Sequence, residues 1–318
     1  MSGRLTNAAG NEGAGGAVGN RTGGHAFACP LCGLARRPGL FEAARGGPYR
    51  VCAACGSASG PGTLDYARHY ADYFPDLVAE DSPLLAERYH AILQRAERLT
   101  AGIRGTRTPS LLEVGCGNGQ LLAVARERGW RVAGVELSAA QADHCRARGL
   151  EVVCGDLLGD DLFEDRRFDA AVMLEVFEHL PNPRPTLRAL ASRLQPGGVV
   201  YLTTPNFNAL ARRLLGARWS VLHEEHVTLA TAEGLRRSLR DCRLATIEIG
   251  SRNVNLAELA HGFGRRAPMA GSQRAAAAAD ARDRIEASAA LRVLKAILNV
   301  LLRASNLGET LVAWGRNG

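Results

Sequence analysis

Lysine is almost missing from this chain. Lys295 is the only one, so the 39 basic residues are nearly all arginine, and the net charge is +7. Arginine, alanine and glycine enriched together mark a GC-rich genome, so part of this basic balance is mutational. It permits an anionic substrate or a nucleic acid and requires neither. Aromatic residues are also scarce, at 5% of the chain. No basic tract is interleaved with them, so a stacking track for single-stranded RNA is not expected. The N-terminus has no apolar h-region, so no signal peptide is expected. The longest apolar run, near Leu291–Leu302, is short and interrupted, and no membrane span is expected. The eight cysteines are not laid out as a secreted disulfide framework, since four stand in two C-x-x-C pairs and four stand singly. These absences predict a cytoplasmic protein. Its 318 residues suffice for one large domain and a small module.

What is present falls into segments. Residues 1–28 are rich in Gly, Ala and Asn and hold hardly any large apolar side chain, so a disordered tail is expected. Cys29-Pro-Leu-Cys32 and Cys52-Ala-Ala-Cys55 follow, each trailed by a glycine, Gly33 or Gly56. Four thiolates at this spacing are expected to form a closed tetrahedral Zn2+ site, structural rather than catalytic, with a pair of redox C-x-x-C motifs or a chance spacing as the alternatives. Residues 29–62 are therefore read as a zinc-binding module too small to hold a core without metal. The stretch 66–74, YARHYADYF, concentrates aromatics. Either it wedges the module against the main domain, or Tyr66, His69 or Tyr70 reaches over a substrate pocket. A helical pattern over Leu84–Leu99 completes a helical linker or cap at 63–105.

The main domain is expected over 106–318. Leu111–Val114 reads as a short buried strand that turns through Gly115, Gly117 and Gly119 into an apolar-periodic helix. Gln120 stands where the dinucleotide fingerprint needs its third glycine, which disfavours a pyrophosphate site. Further strands are expected at Trp130–Glu136, Leu150–Cys154, Phe168–Leu174 and Val199–Thr203, the last entered by a Pro196-Gly197-Gly198 turn. Helices are expected at Ala139–Arg148, capped by Ser138, and at Arg184–Leu194. This alternation is a parallel, doubly wound α/β sheet. Glu136, Asp156 and Glu175 end three strands on one rim, where such sheets bind ligands. Helices over Phe207–Leu215 and Thr231–Leu239 flank a loop, Trp219–Thr228, that holds His223, Glu224, Glu225 and His226. Strands at Leu244–Ser251 and Glu309–Trp314 enclose a helical insertion, 252–305. Its basic amphipathic part, Leu291–Arg303, suits a lid or a homodimer contact over peripheral membrane binding.

The ordered set E-V-G-C-G-N-G, V-E-L-S, G-D-L, F-D-A-A-V-M-L-E-V-F-E-H-L and L-Q-P-G-G-V-V-Y-L-T-T-P-N resembles the class I S-adenosylmethionine-dependent methyltransferases. The resemblance covers about Leu111–Ser251 and the final strand. It implies a Rossmann-like seven-stranded sheet whose last strand is antiparallel. It implies that Glu113 and Gly115-Cys116-Gly117 through Gly119 face the methionine part of S-adenosylmethionine. Glu136 with Leu137 would face the ribose, Asp156 with Leu157 the adenine, and Glu175 the cofactor and substrate entrance. The zinc motif, the tyrosine-rich link and the Glu-His pair are similar to a narrower group, the bacterial zinc-binding methyltransferases of nucleotide-linked deoxysugars and other natural products. There Glu225 and His226 match a pair that serves proton transfer, and Tyr66 and Tyr70 are looser matches. The sugar C-methyltransferases usually carry a further C-terminal α/β domain that is not expected from this sequence, so O- and N-methylation stand beside C-methylation.

The expected reaction is in-line methyl transfer to a small-molecule acceptor, with a histidine removing the acceptor's proton. His226, oriented by Glu225, is the first candidate and His179 the second. Each could instead only pin its loop or hydrogen-bond backbone near the pocket. The alternatives are an RNA methyltransferase with a zinc module and a non-catalytic scaffold of the same fold. Glu-Val-Phe-Glu-His after the fourth strand, in place of an Asn-Pro-Pro-Tyr-type clamp, argues against RNA. The intact turn and rim acids argue against a scaffold.

Overall fold

The computed structural model describes residues 27–43, 47–62, 69, 83–159, 162–253 and 305–318. Residues 1–26 of the expected 1–28 tail, Tyr66, Tyr70 and nearly all of the 252–305 insertion lie outside the described residues, while Phe27 and Ala28, expected in the tail, form a strand.

The N-terminal module is a set of short strands: β1 (Phe27–Ala28), β2 (Ala35–Arg36), β3 (Gly39–Phe41), β4 (Tyr49–Val51) and β5 (Ala58–Ser59). Helix α1 (Pro83–Arg104) follows, as the Leu84–Leu99 pattern predicts. The main domain then alternates: β6 (Ser110–Val114), α2 (Gln120–Glu127), β7 (Arg131–Glu136), α3 (Ala139–Ala147), β8 (Val152–Cys154), β9 (Phe168–Leu174), α4 (Pro183–Ser192) and β10 (Leu194–Pro205). It closes with α5 (Leu210–Leu215), β11 (Thr228–Leu229), α6 (Ala232–Asp241), β12 (Leu244–Arg252) and β13 (Thr310–Asn317).

Seven strands form the main sheet in the order β12-β13-β10-β9-β6-β7-β8. β6 pairs in parallel with both β7 and β9, which puts it inside the sheet beside the middle strand β9, and β13 is antiparallel to both β10 and β12. The strands read as continuous apolar runs because both faces are covered. Leu111, Val132, Ala170 and Val172 pack under Leu93, Leu121, Leu122 and Ala142 of α1, α2 and α3. Their alternates Leu112, Ala133, Ala171 and Met173 pack under Leu187, Leu190, Leu235 and Leu239 of α4 and α6. Each leucine fully buried this way contributes roughly 1.5–3 kcal/mol. Among the described residues, no helix is long and apolar enough to cross a membrane.

Two local expectations change. Pro196-Gly197-Gly198 is not a turn before β10 but a bulge inside it, where the pairing with β9 shifts register between Leu194 and Val199. The helix expected from Phe207 begins only at Leu210. Asn206 Oδ1 accepts from the Asn208 amide at 3.0 Å and turns the chain first.

The module is not a separate unit. β11, contributed by the main domain, pairs antiparallel with β5 and completes a second sheet, β11-β5-β4-β3. Ser238 of α6 donates to the Leu31 carbonyl at 2.7 Å, and Thr231, the N-cap of α6, donates to the Cys55 carbonyl at 2.6 Å. Trp219, 1% exposed, lies in the same apolar cluster as Tyr49, Phe207 and Leu222. The module therefore lies directly against the loop that carries the candidate histidines.

Candidate functional site

The four paired cysteines converge. Cys29 and Cys55 sulfurs lie 3.7 Å apart, as do those of Cys32 and Cys52. All four sulfurs lie within 4.8 Å of one another. A tetrahedron with zinc–sulfur arms of about 2.3 Å has edges of about 3.8 Å. The sulfurs are too far apart for disulfides, at about 2.05 Å, and fit a closed tetrahedral cation. Both halves use the same turn. Gly33 N donates to Cys29 O and Gly56 N to Cys52 O, each at 2.8 Å. These are the two knuckles that the trailing glycines predict, since both glycines have positive φ, 69° and 71°.

The glycine turn leaves the carboxyl end of β6. Gly115 has φ 67°, and a Cβ there would stand 2.4 Å from Val176 Cγ2. Only glycine lets the turn and the 175–179 segment touch. Glu113 is buried beneath the turn, and its Oε2 meets no hydrogen-bond donor among the described residues. Burial pushes its carboxyl well above the ordinary range, with Cys145 and Glu136 adding to the effect. A buried oxygen lacking a donor under a glycine cradle is what a cationic or N–H-bearing ligand would satisfy. Glu136 does something the sequence did not indicate. Its two oxygens accept from Gly117 N at 2.8 Å and Ser138 N at 2.9 Å, tying the turn to β7. Each oxygen keeps a second lone pair for a ligand hydroxyl. Cys116 is buried and Leu137 half-buried at the same rim. Asp156 is exposed and caps its own turn, accepting from Leu158 N at 2.9 Å, while Leu157 is buried.

Glu175 is exposed at the end of β9 in the left-handed region, with φ 52°. Such a non-glycine residue stores about 1–3 kcal/mol of strain and marks a constrained position. The next turn, Phe177–His179, buries Glu178, which is 1% exposed. Thr204 Oγ1 donates to Glu178 Oε2 at 3.1 Å. Burial and then the neighbouring Glu175 carboxyl raise Glu178 well above the ordinary range.

Across from this turn stands the Trp219–Thr228 loop. The rings of His179 and His226 are 5.0 Å apart, and those of His223 and His226 are 3.8 Å apart. His179 Nδ1 lies 3.0 Å from the Glu225 carbonyl, and His226 Nδ1 lies 2.8 Å from the Val221 carbonyl. A carbonyl can only accept, so both rings donate through Nδ1. This corrects one expectation: Val221, not the Glu225 carboxylate, orients His226. Adjacent residues in an irregular loop point apart, and the Glu225 carboxylate instead faces His69 Nε2 at 3.6 Å. Burial, with His223 and His179 as neighbours, brings His226 down to about 3, and burial also lowers His179. The loop is fixed by the four-cysteine module. Tyr49, fully buried, donates to the carbonyls of His226 at 2.9 Å and His223 at 3.1 Å.

Sequence reasoning missed Tyr49, Thr204 and the part played by Glu178. The E-x-x-E-H spacing that ends β9 was the available signal for Glu178. It also missed two arginines. Nε and Nη2 of both Arg88 on α1 and Arg252 at the rim end of β12 are buried and meet no acceptor among the described residues. Burial lowers the Arg252 guanidinium and Arg88 adds to that, while Tyr201, which also hydrogen-bonds it, and Glu175 oppose it.

The sequence model of the methyltransferase domain family matches residues 79–248. The ubiquinone biosynthesis O-methyltransferase of Idiomarina loihiensis is 33% identical over 139 residues, covering 41% of this chain and 53% of that protein. That of Alkalilimnicola ehrlichii is 35% identical over 115 residues, covering 34% and 44%. The chain thus spans about half the length of the curated relatives it matches. A solved S-adenosylmethionine-dependent methyltransferase of Archaeoglobus fulgidus is 17% identical, with TM-score 0.47, covering 73% of this chain and 94% of that one. With the profile spanning more than half of its length, and with a seven-stranded sheet of this order, the chain belongs to the methyltransferase domain family and is of the class I, S-adenosylmethionine-dependent type.

Proposed function

We propose that this protein transfers a methyl group from S-adenosylmethionine to a small-molecule acceptor, a nucleotide-linked sugar or a natural-product intermediate. The observation that carries this reading is the contact between Gly115 and Val176. It joins the cofactor turn to the segment bearing Glu175, Glu178 and His179, so donor and acceptor sites share one surface. The cofactor, when bound, supplies a methyl already activated on a sulfonium. Glu113, Gly115, Cys116, Gly117 and Gly119 would hold its methionine part, Glu136 and Leu137 its ribose, and Asp156 and Leu157 its adenine. Glu175 would flank the entrance. The histidine cluster would take the acceptor's proton, first through His226 and next through His179, with Glu225 steering His69 and, in the tyrosine-rich link, Tyr66 and Tyr70 covering the pocket. The relatives are named O-methyltransferases, which supports an oxygen acceptor. The unmatched donors of Arg88 and Arg252 support an anionic one, because buried guanidinium groups are satisfied by carboxylate or phosphate. Cys29, Cys32, Cys52 and Cys55 would hold structural Zn2+ in a 29–62 module, followed by a 63–105 cap and a 106–318 cofactor-binding domain.

The test is calorimetry with S-adenosylmethionine, followed by a radiolabelled methyl-transfer screen over nucleotide-linked sugars, phenols and RNA. The expected result is micromolar cofactor binding and transfer to a small hydroxylated anion. His226→Ala should lose about 100-fold in turnover, the usual share of acid–base assistance, while keeping its cofactor affinity. No cofactor binding, or transfer to RNA that collapses with added salt, would overturn the reading.

A further inference from the structure

Beside the donor turn sits a donor set that the four-cysteine site does not explain. Glu178, His179 and His226 each offer one ligand atom, and the three atoms lie within 4.8 Å of one another. We propose that these three side chains bind a divalent first-row metal ion, a second cation site distinct from the cysteine cluster.

Three features of the geometry carry this. First, both imidazoles donate Nδ1–H to backbone carbonyls, Glu225 O and Val221 O. In a neutral ring that leaves Nε2 as the nitrogen without a proton, and a carbonyl on the far nitrogen is the usual support of a metal-bound histidine. Second, Glu178 is buried at 1% exposure, and among the described residues no lysine or arginine pairs with it. Its side chain accepts from the neutral Thr204 hydroxyl and shares a hydrogen bond with the Glu175 carboxyl, and neither carries a positive charge. A buried carboxylate demands a cation or a proton. Third, the loop is clamped from outside the cluster. Tyr49 holds the carbonyls of His223 and His226, and Thr228 Oγ1 holds the Leu180 carbonyl at 2.6 Å. The two segments that contribute ligands are thereby fixed to each other.

Two imidazole nitrogens and one carboxylate oxygen suit Zn2+, Mn2+ or Fe2+ and leave coordination positions open. The inference rests on the proposed methyl transfer only for the ion's role. There it deepens that reading: an acceptor hydroxyl on an open position becomes more acidic. Glu178, His179 and His226 would hold the ion, the ion would supply Lewis-acid activation of the acceptor O–H, and the exposed Glu175 carboxylate would receive the released proton while the electron pair stays on the acceptor oxygen. With the ion bound, His226 would act as a ligand, and Glu175 would take over the proton that the metal-free site hands to His226.

The experiment uses the full chain with its cysteine site loaded with zinc. Mn2+ is titrated in and followed by electron paramagnetic resonance of the free ion, because thiolates disfavour Mn2+ and the cysteines stay silent. One Mn2+ per chain is expected. Glu178→Gln and His226→Gln should each weaken it at least tenfold, whereas His90→Gln, on the outer face of α1, should not change it. Thermal melting and cofactor calorimetry on each variant establish that the fold is intact. A variant that fails either check is replaced by His179→Gln. No Mn2+ binding by the parent chain, or equal binding by parent and folded variants, would overturn the proposal. Cation binding without methyl transfer would instead count against the proposed function and leave the site standing.

Discussion

Gly234 sits in the first turn of α6, where alanine would ordinarily be the better helix former by about 1 kcal/mol. Here Gly234→Ala should destabilise. An added Cβ would lie 2.0 Å from Ser57 Oγ, 3.2 Å from Ser57 Cβ and 3.3 Å from Leu31 Cδ2. Ser57 cannot simply swing away. Its Oγ accepts from Thr231 N at 3.0 Å and lies 3.2 Å from Thr231 Oγ1, which in turn accepts from Gly234 N at 3.1 Å. Giving up two such bonds costs about 1 kcal/mol each, and overpacking adds about 1–3 kcal/mol. Set against the helix gain, the net loss is about 2–4 kcal/mol. For a domain of this size each kcal/mol moves the melting point by about 2–4 °C. A drop of about 4–16 °C in a zinc-containing calorimetric scan is therefore expected. Ser57→Ala in the same chain removes the closest atom, so the double variant should recover much of the drop, a non-additivity that marks direct contact. A Gly234→Ala chain as stable as the parent would refute the close docking of the module on α6.

Tyr49→Phe removes the donor to two loop carbonyls and should cost about 1–3 kcal/mol, with a larger fall in turnover than in cofactor affinity; unchanged turnover would separate the module from the histidine loop. Gly115→Ala should abolish cofactor binding in calorimetry, because the residue needs positive φ and its Cβ would strike Val176. Glu113 carries a raised folded-state pKa. The folded chain therefore holds that proton more tightly than the unfolded chain, so stability is full below the ordinary carboxylate pKa and falls as pH rises toward the folded value. Relative to the parent, Glu113→Gln should melt higher at pH 8 than at pH 5; an offset independent of pH would contradict the burial argument. Stripping metal with a thiolate-competing chelator should unfold the module first, seen as Trp219 fluorescence changing ahead of the main transition.

The central strands were legible because Leu111–Val114 and Phe168–Leu174 are buried on both faces and leave an uninterrupted apolar signature. Ser138 was legible as a cap for a local reason, accepting from Gln141 N at 3.3 Å. β3, β4, β5 and β11 were not, since strands of two or three residues have no period to read. The cysteine site was visible from spacing alone, but its attachment to α6 was not, because it depends on serine and threonine hydroxyls whose partners lie far along the chain. Glu225 and His226 show the limit most clearly. Sequence adjacency suggested a dyad, yet the loop turns one side chain toward His69 and the other toward Val221 O.

The donated strand β11 also sets an order of events in time. The contact between Thr231 and the Cys55 carbonyl spans 176 residues. At about 5–20 residues per second of synthesis, the cysteine knuckles leave the ribosome about 9–35 s before the strand that completes their sheet. During that interval β5 is an open edge, able to pair with any passing chain. A metal captured early would hold the half-built module in register until β11 arrives, so the ion's influence on yield should be greatest during translation, and weakest once the chain is whole.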